Sequence, residues 1–217
     1  MTTLLHCVYF GNVYHYIALS QAEHCCFEIY DNYQKQTYRN RCYVATANGK
    51  HLLNIPIKHT STGQRGHRTK KHQIYKDVKI ENDFDWQKNH WKTLQIAYRS
   101  SPFFEFYEDD LYSLFNKKYT YLIDVNQHTF EIITDLLGID NNVSFTTTYR
   151  KEPEGVVDLR HLTNVKKEKQ IELSPYTQVL EENHGFLPNL SILDLLFNKG
   201  PEALSYLQAQ HISISDL

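Results

Sequence analysis

The sequence predicts an α/β protein in which a mixed sheet is covered by several helices. Three observations predict this class: β-like and helix-like segments alternate over the first thirty residues, a hairpin signal lies at Asn48-Gly49, and amphipathic segments follow over residues 85–137. The chain has 217 residues, of which 41% are hydrophobic and 22% charged, as in ordinary folded domains. Since no repeat or linker divides it, we expect residues 1–217 to form a single domain.

The chain opens with a strand, a short helix and a second strand. Residues 3–9 are mostly apolar and predict a buried strand. Apolar spacing over residues 13–22 then predicts a helix, and β character returns over residues 25–30. This order within a short segment is typical of a βαβ unit, whose two strands run parallel.

A β-hairpin is expected next. Asn48-Gly49 separates two β-rich segments, residues 41–47 and 50–57. Asn and Gly both tolerate the positive φ angles that a type I′ turn requires, so we place this dipeptide at the tip. We expect the hairpin to join the βαβ unit in one mixed sheet.

Three helices are predicted to cover that sheet. The first spans about residues 85–99, and Ser101-Pro102 supplies an N-cap and a first-turn proline for the second. The third runs over residues 120–137 and ends at Gly138, because glycine readily adopts the positive φ that terminates helices.

The last part of the chain combines one strand, a polar segment and two helices. Alternating side chains over residues 143–148 predict a strand, whereas residues 151–170 are polar and mostly loop. Residues 190–197 are apolar on all sides, which predicts a buried helix. Pro201 begins a last helix that extends to residue 209.

Composition and missing motifs exclude several function classes. The 23 Lys+Arg and 25 Asp+Glu give a formal net charge of −2, which argues against a protein that coats nucleic acid or anionic membranes. No segment is apolar enough to span a bilayer, and the N-terminus lacks signal-peptide features, so we expect a cytoplasmic protein. The four cysteines lack metal-type spacing and no cofactor-binding motif occurs, so we expect no metal and no cofactor.

The segment from Tyr33 to Arg41 is the first candidate site. It concentrates Lys35, Arg39, Asn40 and Arg41, and guanidinium groups bind carboxylates or phosphates through paired hydrogen bonds. The alternative is a solvated loop with local ion pairs. We therefore predict an anion site here, with the four polar residues as substrate-binding groups.

A second candidate begins at Lys58 and His59. The following residues 63–79 hold six Lys/Arg and one acid, which is the composition of a phosphate-facing lid. A basic loop without a role is the alternative. Nucleic-acid binding is less favoured, because the segment has no aromatic stacking pattern of the kind that single-strand binders use.

His90 is the candidate general base. It lies one helical turn from Trp86 on the same face, and histidine titrates near neutral pH. A buried, hydrogen-bonded structural histidine would give the same pattern.

The buried helix near the C-terminus carries polar residues that need partners. Asp194 and Asn198 share one face, and Asn189 is placed to cap the helix. A buried carboxylate requires a cation or donors, so we expect Arg39 or Arg41 to lie within salt-bridge reach of Asp194 or to face the same cavity. Structural roles for these residues are the alternative.

These segments are expected to border one main pocket. It would be formed by residues 33–41, 58–71 and 186–198, because polar residues interrupt apolar context in each of them.

The chain resembles the WbqC-like protein family, in particular its Bacteroidetes branch, over essentially its whole length. The long run from Gly185 to Asn198 is a specific part of the resemblance. The matching segments are Tyr33–Cys42, Ala47–Gly49, Ile55–Ile57, His90-Trp91, Ala97-Tyr98, Ser101–Glu105, Lys117–Leu122 and His184–Glu202.

The resemblance implies a cytoplasmic transferase in the assembly of surface polysaccharide (O-antigen), acting by glycine or aminoacyl transfer to a sugar. Its partner would be an anionic small molecule, such as a nucleotide-sugar or an amino acid derivative, and a homodimer is left open. Lys35, Arg39 and Arg41 would hold the anion, His90 would be the base, and Asp194 with Asn198 would lie behind them.

The chain also departs from the family pattern. Gly11 stands where many members have proline, and His6 is out of register with the family's histidine, so no catalytic role is assigned to His6. The Ser-Gly-rich segment of longer members is absent. A non-catalytic binding or scaffold protein of the same pathway is therefore the alternative function.

Overall fold

Strands and helices alternate along the chain, and the described residues form two sheets. The computed structural model describes residues 2–58, 73–140, 142–213 and 216–217. In chain order, the elements are β1 (Thr2–Leu5), α1 (Val13–Gln21), β2 (His24–Phe27), β3 (Arg41–Thr46), β4 (Gly49–Asn54), α2 (Trp86–Tyr98), α3 (Phe104–Asn116), α4 (Leu122–Leu137), β5 (Val143–Phe145), β6 (Val156–Asp158), α5 (Glu181–His184), α6 (Ile192–Lys199) and α7 (Ala203–Ala209). The predicted α/β class is confirmed.

The larger sheet is parallel and contains the predicted βαβ unit. β1 and β2 pair in parallel through α1, with Thr2 opposite His24. β6 pairs with the other edge of β1, and β5 with β2, which gives the order β5-β2-β1-β6. β1 ends at Leu5, before the expected end of the strand, because the chain then leaves the sheet to reach α1. β6 lies inside residues 151–170, which were expected to be mostly loop.

The predicted hairpin forms, with a different turn and a different place in the fold. β3 and β4 pair antiparallel with Thr46 opposite Gly49, so Ala47 and Asn48 are the two loop residues. Gly49 has a φ of 92° and Asn48 does not have a positive φ, so the expected type I′ turn is wrong.

The hairpin is a separate two-stranded sheet, where one mixed sheet was expected. The free edge of β3 is already occupied by groups that are not strands. The Tyr43 carbonyl accepts from Ser191 N at 2.7 Å, and Ala45 N donates to the Tyr98 hydroxyl at 2.9 Å. Since these groups satisfy β3 locally, no further strand is needed there.

The three central helices have nearly the predicted bounds, but one cap differs. α4 ends at Gly138 with a φ of 70°, as expected. α3 begins at Phe104, and the expected cap Ser101 instead donates its hydroxyl to the Tyr98 carbonyl at 2.6 Å, which closes the end of α2.

Most buried apolar side chains of the described residues form one hydrophobic cluster. Ile192 to Phe197 of α6 are all buried, which confirms the predicted buried helix. Phe197 packs on Tyr98 of α2 and on Phe104 of α3, with ring centroids 5.0 Å apart in both pairs. No helix among the described residues is long and apolar enough to cross a membrane.

Candidate functional site

An open cleft of about 630 Å³ lies beside the start of β3 and the end of β4. Three segments form it: the loop before β3, the chain that follows β4, and the turn before α2. Its lining residues are Tyr33, Lys35, Gln36, Asn40, Arg41, Asn54, Ile55, Pro56, Ile57, Glu81 and Phe84. The cleft therefore contains three of the predicted substrate-binding residues, namely Lys35, Asn40 and Arg41.

Asn40 fixes the loop against the end of the hairpin. Its side-chain nitrogen donates to Asn54 Oδ1 at 2.9 Å and to the Ile55 carbonyl at 3.0 Å. Its own carbonyl accepts from Ile55 N at 2.8 Å. Because Arg41 follows directly as the first residue of β3, this clamp holds the arginine at the edge of the cleft.

Two donors in the cleft lack partners within the described part of the chain. Arg41 Nε and the Tyr33 hydroxyl are both buried and neither has a hydrogen-bond partner there. Burial raises the pKa of Tyr33 to about 12, although Arg39 and Arg41 oppose the shift, so this hydroxyl keeps its proton at neutral pH. Unpaired buried donors are costly, and an acceptor on a bound ligand would relieve that cost once either side chain turned towards the cleft, because neither atom is exposed to solvent in the structure.

Lys58 and Glu81 add a cation and a carboxylate near the cleft. Lys58 Nζ is exposed and lies 3.8 Å from Glu81 Oε1. Glu81 lines the cleft itself, whereas Lys58 follows the lining residue Ile57. His59 and most of the predicted basic loop lie outside the described residues.

Arg39 is separate from the cleft and fully buried. Its Nη2 donates to Asp31 Oδ2 and to His6 Nε2, and its guanidinium lies 5.1 Å from the centroid of the Tyr75 ring. Despite the opposing effect of burial, hydrogen bonds and charge from His6 and Arg39 lower the pKa of Asp31. The partner of Arg39 is therefore Asp31, and the expected pairing with Asp194 is wrong.

His6 belongs to the same buried cluster at the end of β1. Burial and the neighbouring Arg39 lower the pKa of His6 to about 4, so its ring is neutral at pH 7. The Arg160 carbonyl lies 3.2 Å from Nδ1, and Nε2 faces both Asp31 Oδ2, at 3.0 Å, and Arg39 Nη2. Sequence patterns gave no indication of the role of Asp31, because a lone aspartate at a strand end resembles any turn residue.

His90 is buried and does not line the cleft. Its Nδ1 lies 3.0 Å from the Tyr9 hydroxyl, and the ring faces the backbone of Asn54. Burial lowers its pKa to about 4. The ring is therefore neutral at pH 7, and Asn54 lies between it and the cleft.

Asp194 is held by neutral donors. Its carboxylate accepts from the hydroxyls of Tyr98 at 2.8 Å and Tyr176 at 2.6 Å, and from Gln178 Nε2 at 2.8 Å. Burial raises its pKa, although these donors oppose the shift. The expected salt bridge to Arg39 or Arg41 is wrong, because three uncharged donors already satisfy the carboxylate.

Asn198 and Asn189 also make structural contacts. Asn198 donates to the Asp194 carbonyl at 2.7 Å and accepts from Val179 N at 3.0 Å. Ser191, not Asn189, caps α6. Asn189 Oδ1 instead accepts from Tyr14 N at 3.0 Å, so it satisfies the first turn of α1.

The residues predicted to border one pocket thus lie at two separate clefts. Asn189 and Phe186 line a second open cleft of about 570 Å³, together with Lys50 and Glu168. Residues 33–41 border the first cleft and residues 186–198 do not contribute to it. The structure brings Lys35, Asn40 and Arg41 together and places His90, Asn189, Asp194 and Asn198 elsewhere.

No metal centre is present in the described ranges, where no three His, Cys, Asp or Glu side chains form a group that could hold an ion. Cys7, Cys25, Cys26 and Cys42 are all free thiols. What the first cleft offers chemically is two cations, a tyrosine hydroxyl, amide groups and one carboxylate.

Comparisons with known proteins identify relatives. The model of the WbqC-like protein family matches residues 14–169 and 164–206. The chain is 25% identical over 210 residues to the uncharacterized protein Rv1507c of Mycobacterium tuberculosis (strain ATCC 25618 / H37Rv), which covers 84% of this chain and 87% of that protein. No solved structure matches the chain.

Proposed function

We propose that this chain, which belongs to the WbqC-like protein family, binds an anionic small molecule in the cleft beside β3. One observation carries the proposal: Arg41 Nε and the Tyr33 hydroxyl are buried donors without partners in the described part of the chain, and both residues line the cleft. A phosphate or carboxylate has the acceptors that such donors lack. Lys35 adds a positive charge to the same lining.

The reaction that we assign to this cleft is group transfer in the cytoplasmic assembly of surface polysaccharide, with glycine or another aminoacyl group passed to a sugar. A hydroxyl or amine of the sugar would attack the carbonyl carbon of an activated aminoacyl donor, form an ester or amide bond and displace the group that activated the donor. Glu81 is the carboxylate of the cleft and would accept the proton that the attacking group loses. His90, proposed as the base, would act as a positioning residue through Asn54. Asp194 and Asn198 would support the fold behind the site.

Binding without catalysis is the second candidate. The described residues that line the cleft include no Ser, Cys or His side chain that could be activated as a nucleophile. A non-catalytic binding or scaffold protein needs only the anion site. This alternative is favoured if the ligand binds and no product forms from any aminoacyl donor and sugar acceptor.

Thermal-shift screening followed by calorimetry tests the proposed binding. Nucleotides, nucleotide-sugars and aminoacyl derivatives are added to the full chain, and a ligand of the folded state raises the melting temperature. Arg41→Ala should then weaken binding at least tenfold and barely change stability, whereas Arg150→Ala, an exposed arginine outside the cleft, should change neither. Affinity should also fall as salt increases.

Arg39→Ala should have the opposite effect to Arg41→Ala, with a loss of stability and unchanged binding. Removal of this guanidinium leaves Asp31 buried without its cation, which should cost about 3–5 kcal/mol of unfolding free energy. At a temperature where the variant is folded, ligand affinity should stay close to that of the unmodified protein. Unchanged binding by Arg41→Ala would refute the proposed site.

A turnover assay separates the two candidates. Glu81→Gln should abolish product formation and retain ligand binding if the chain is a transferase. Equal product formation by Glu81→Gln and the unmodified protein would remove Glu81 from the mechanism.

A further inference from the structure

Phe84 is an aromatic side chain left in solvent at the mouth of the anion cleft. It is 64% exposed, although the described residues bury most of their large apolar side chains in one cluster. It lines the same cleft as Lys35 and Arg41. An exposed aromatic ring beside cations offers a face on which a planar ring can stack.

The turn that carries Phe84 is held in place on both sides. Glu81 N donates to the Pro56 carbonyl at 2.9 Å, and Asn82 Nδ2 donates to the Tyr119 carbonyl at 2.9 Å. After the turn, Trp86 N donates to the Phe84 carbonyl at 2.8 Å, and α2 begins. The ring is therefore presented by a fixed backbone.

Residues 54–57 connect the cationic and the aromatic parts of the cleft. Arg41 is paired with Asn54 at one end of this segment. At the other end, Ile57 pairs with Ile80, shortly before the turn that carries Phe84. All four residues line the cleft, so one continuous lining carries both the cations and the exposed ring. A nucleotide has an anionic part and a planar ring, so it can contact both.

We infer that the ligand of this cleft is a nucleoside diphosphate or its ester, whose base stacks on Phe84 while its phosphates meet Arg41 and Lys35. The inference rests on the proposed anion binding and adds the class of ligand. Ile57 and Pro56 would contact the apolar edge of the nucleoside between the two ends.

Calorimetry with three probes tests this inference on the full chain: UDP, ADP and inorganic pyrophosphate. We expect either nucleotide to bind about 5- to 150-fold more tightly than pyrophosphate, which is the contribution of one stacked base. Phe84→Ala should remove that difference without weakening pyrophosphate binding, and Phe84→Trp should retain it. Phe106→Ala is the matched control, because Phe106 is 75% exposed on α3 and does not line the cleft.

The outcomes separate this inference from the proposed function. Equal affinities for nucleotides and pyrophosphate, or a Phe84→Ala variant that binds nucleotides like the unmodified protein, would overturn the nucleotide assignment and leave anion binding intact. Failure of all three probes to bind would overturn the nucleotide assignment, and failure of the aminoacyl derivatives as well would overturn the proposed anion site.

Discussion

Asp194 joins three parts of the molecule through one buried carboxylate. Its donors are the hydroxyl of Tyr98 on α2 and the side chains of Tyr176 and Gln178 in the segment before α5. Burial disfavours the charged form of this carboxyl group, as its raised pKa indicates. Its loss would nevertheless leave three buried donors without an acceptor.

Asp194→Ala should therefore be severely destabilising. We expect a loss of about 3–5 kcal/mol of unfolding free energy, measured by urea denaturation. The reason is that the substitution leaves three buried donors unpaired and creates a cavity. Asp109→Ala on the exposed face of α3 is the matched control and should change stability by less than about 0.5 kcal/mol. A loss for Asp194→Ala as small as that of the control would show that the carboxylate is dispensable.

Three buried histidines determine the response to acid. Burial lowers the pKa of His6 and His90 to about 4 and that of His15 to about 3, from an ordinary value near 6.5. In the window between these values the unfolded chain binds protons that the folded chain does not, so stability falls as pH decreases from about 6.5 towards 4. Asp194 acts in the opposite direction, because its raised pKa favours the folded state at low pH.

The net effect should be a marked loss of stability in mild acid. Each histidine contributes up to about 3 kcal/mol over the window, and three of them act against one carboxyl. Urea denaturation at pH 7, 5.5 and 4.5 measures the loss. His90→Gln should reduce the slope of unfolding free energy against pH by the contribution of one histidine. Stability that is constant from pH 7 to pH 4.5 would mean that these histidines are accessible to protons in the folded state.

At the scale of the elements, two glycines with positive φ differ in their surroundings. Gly49 follows the hairpin turn with a φ of 92°, and a Cβ there would meet nothing within 4 Å. Gly200 ends α6 with a φ of 53°, and a Cβ there would lie 2.5 Å from ring carbons of Phe103. The first position requires only backbone freedom, whereas the second also requires space.

The two alanine substitutions should therefore differ in cost. Gly49→Ala should lose about 1 kcal/mol from backbone strain, and Gly200→Ala about 2–4 kcal/mol because overpacking is added. Thermal and urea unfolding of both variants measure the difference. Equal losses would indicate that the Phe103 ring moves aside freely.

The helices could be predicted from the sequence, and the short strands and caps only in part. Apolar spacing and Gly138 are local signals, which is why the bounds of α4 were nearly right. β6 has only three residues, and it is a strand because it pairs with β1. The two strands are far apart in the sequence, so no local pattern predicts this pairing. Asn189 and Ser101 are good cap residues whose actual partners, Tyr14 N and the Tyr98 carbonyl, depend on how helices meet.

At the scale of the whole molecule, the cleft combines segments that are distant in the sequence. The cations of residues 35–41 were predicted because they are concentrated in one polar loop. Glu81 and Phe84 were not predicted as cleft residues. The local sequence of a short acidic turn before a helix does not distinguish a ligand-binding turn from an ordinary exposed one. The pairing of Arg39 with Asp31 was missed for a related reason: composition shows that a buried charge needs a partner, and only packing decides which one.

The most direct test of the proposed site is a crystal structure of the full chain with pyrophosphate. The proposal predicts the anion in the first cleft, with its oxygens within hydrogen-bond distance of Arg41 Nε and the Tyr33 hydroxyl and with Lys35 nearby. An anion found instead in the second cleft, against Lys50, with none beside Arg41 at saturating concentration, would contradict the account.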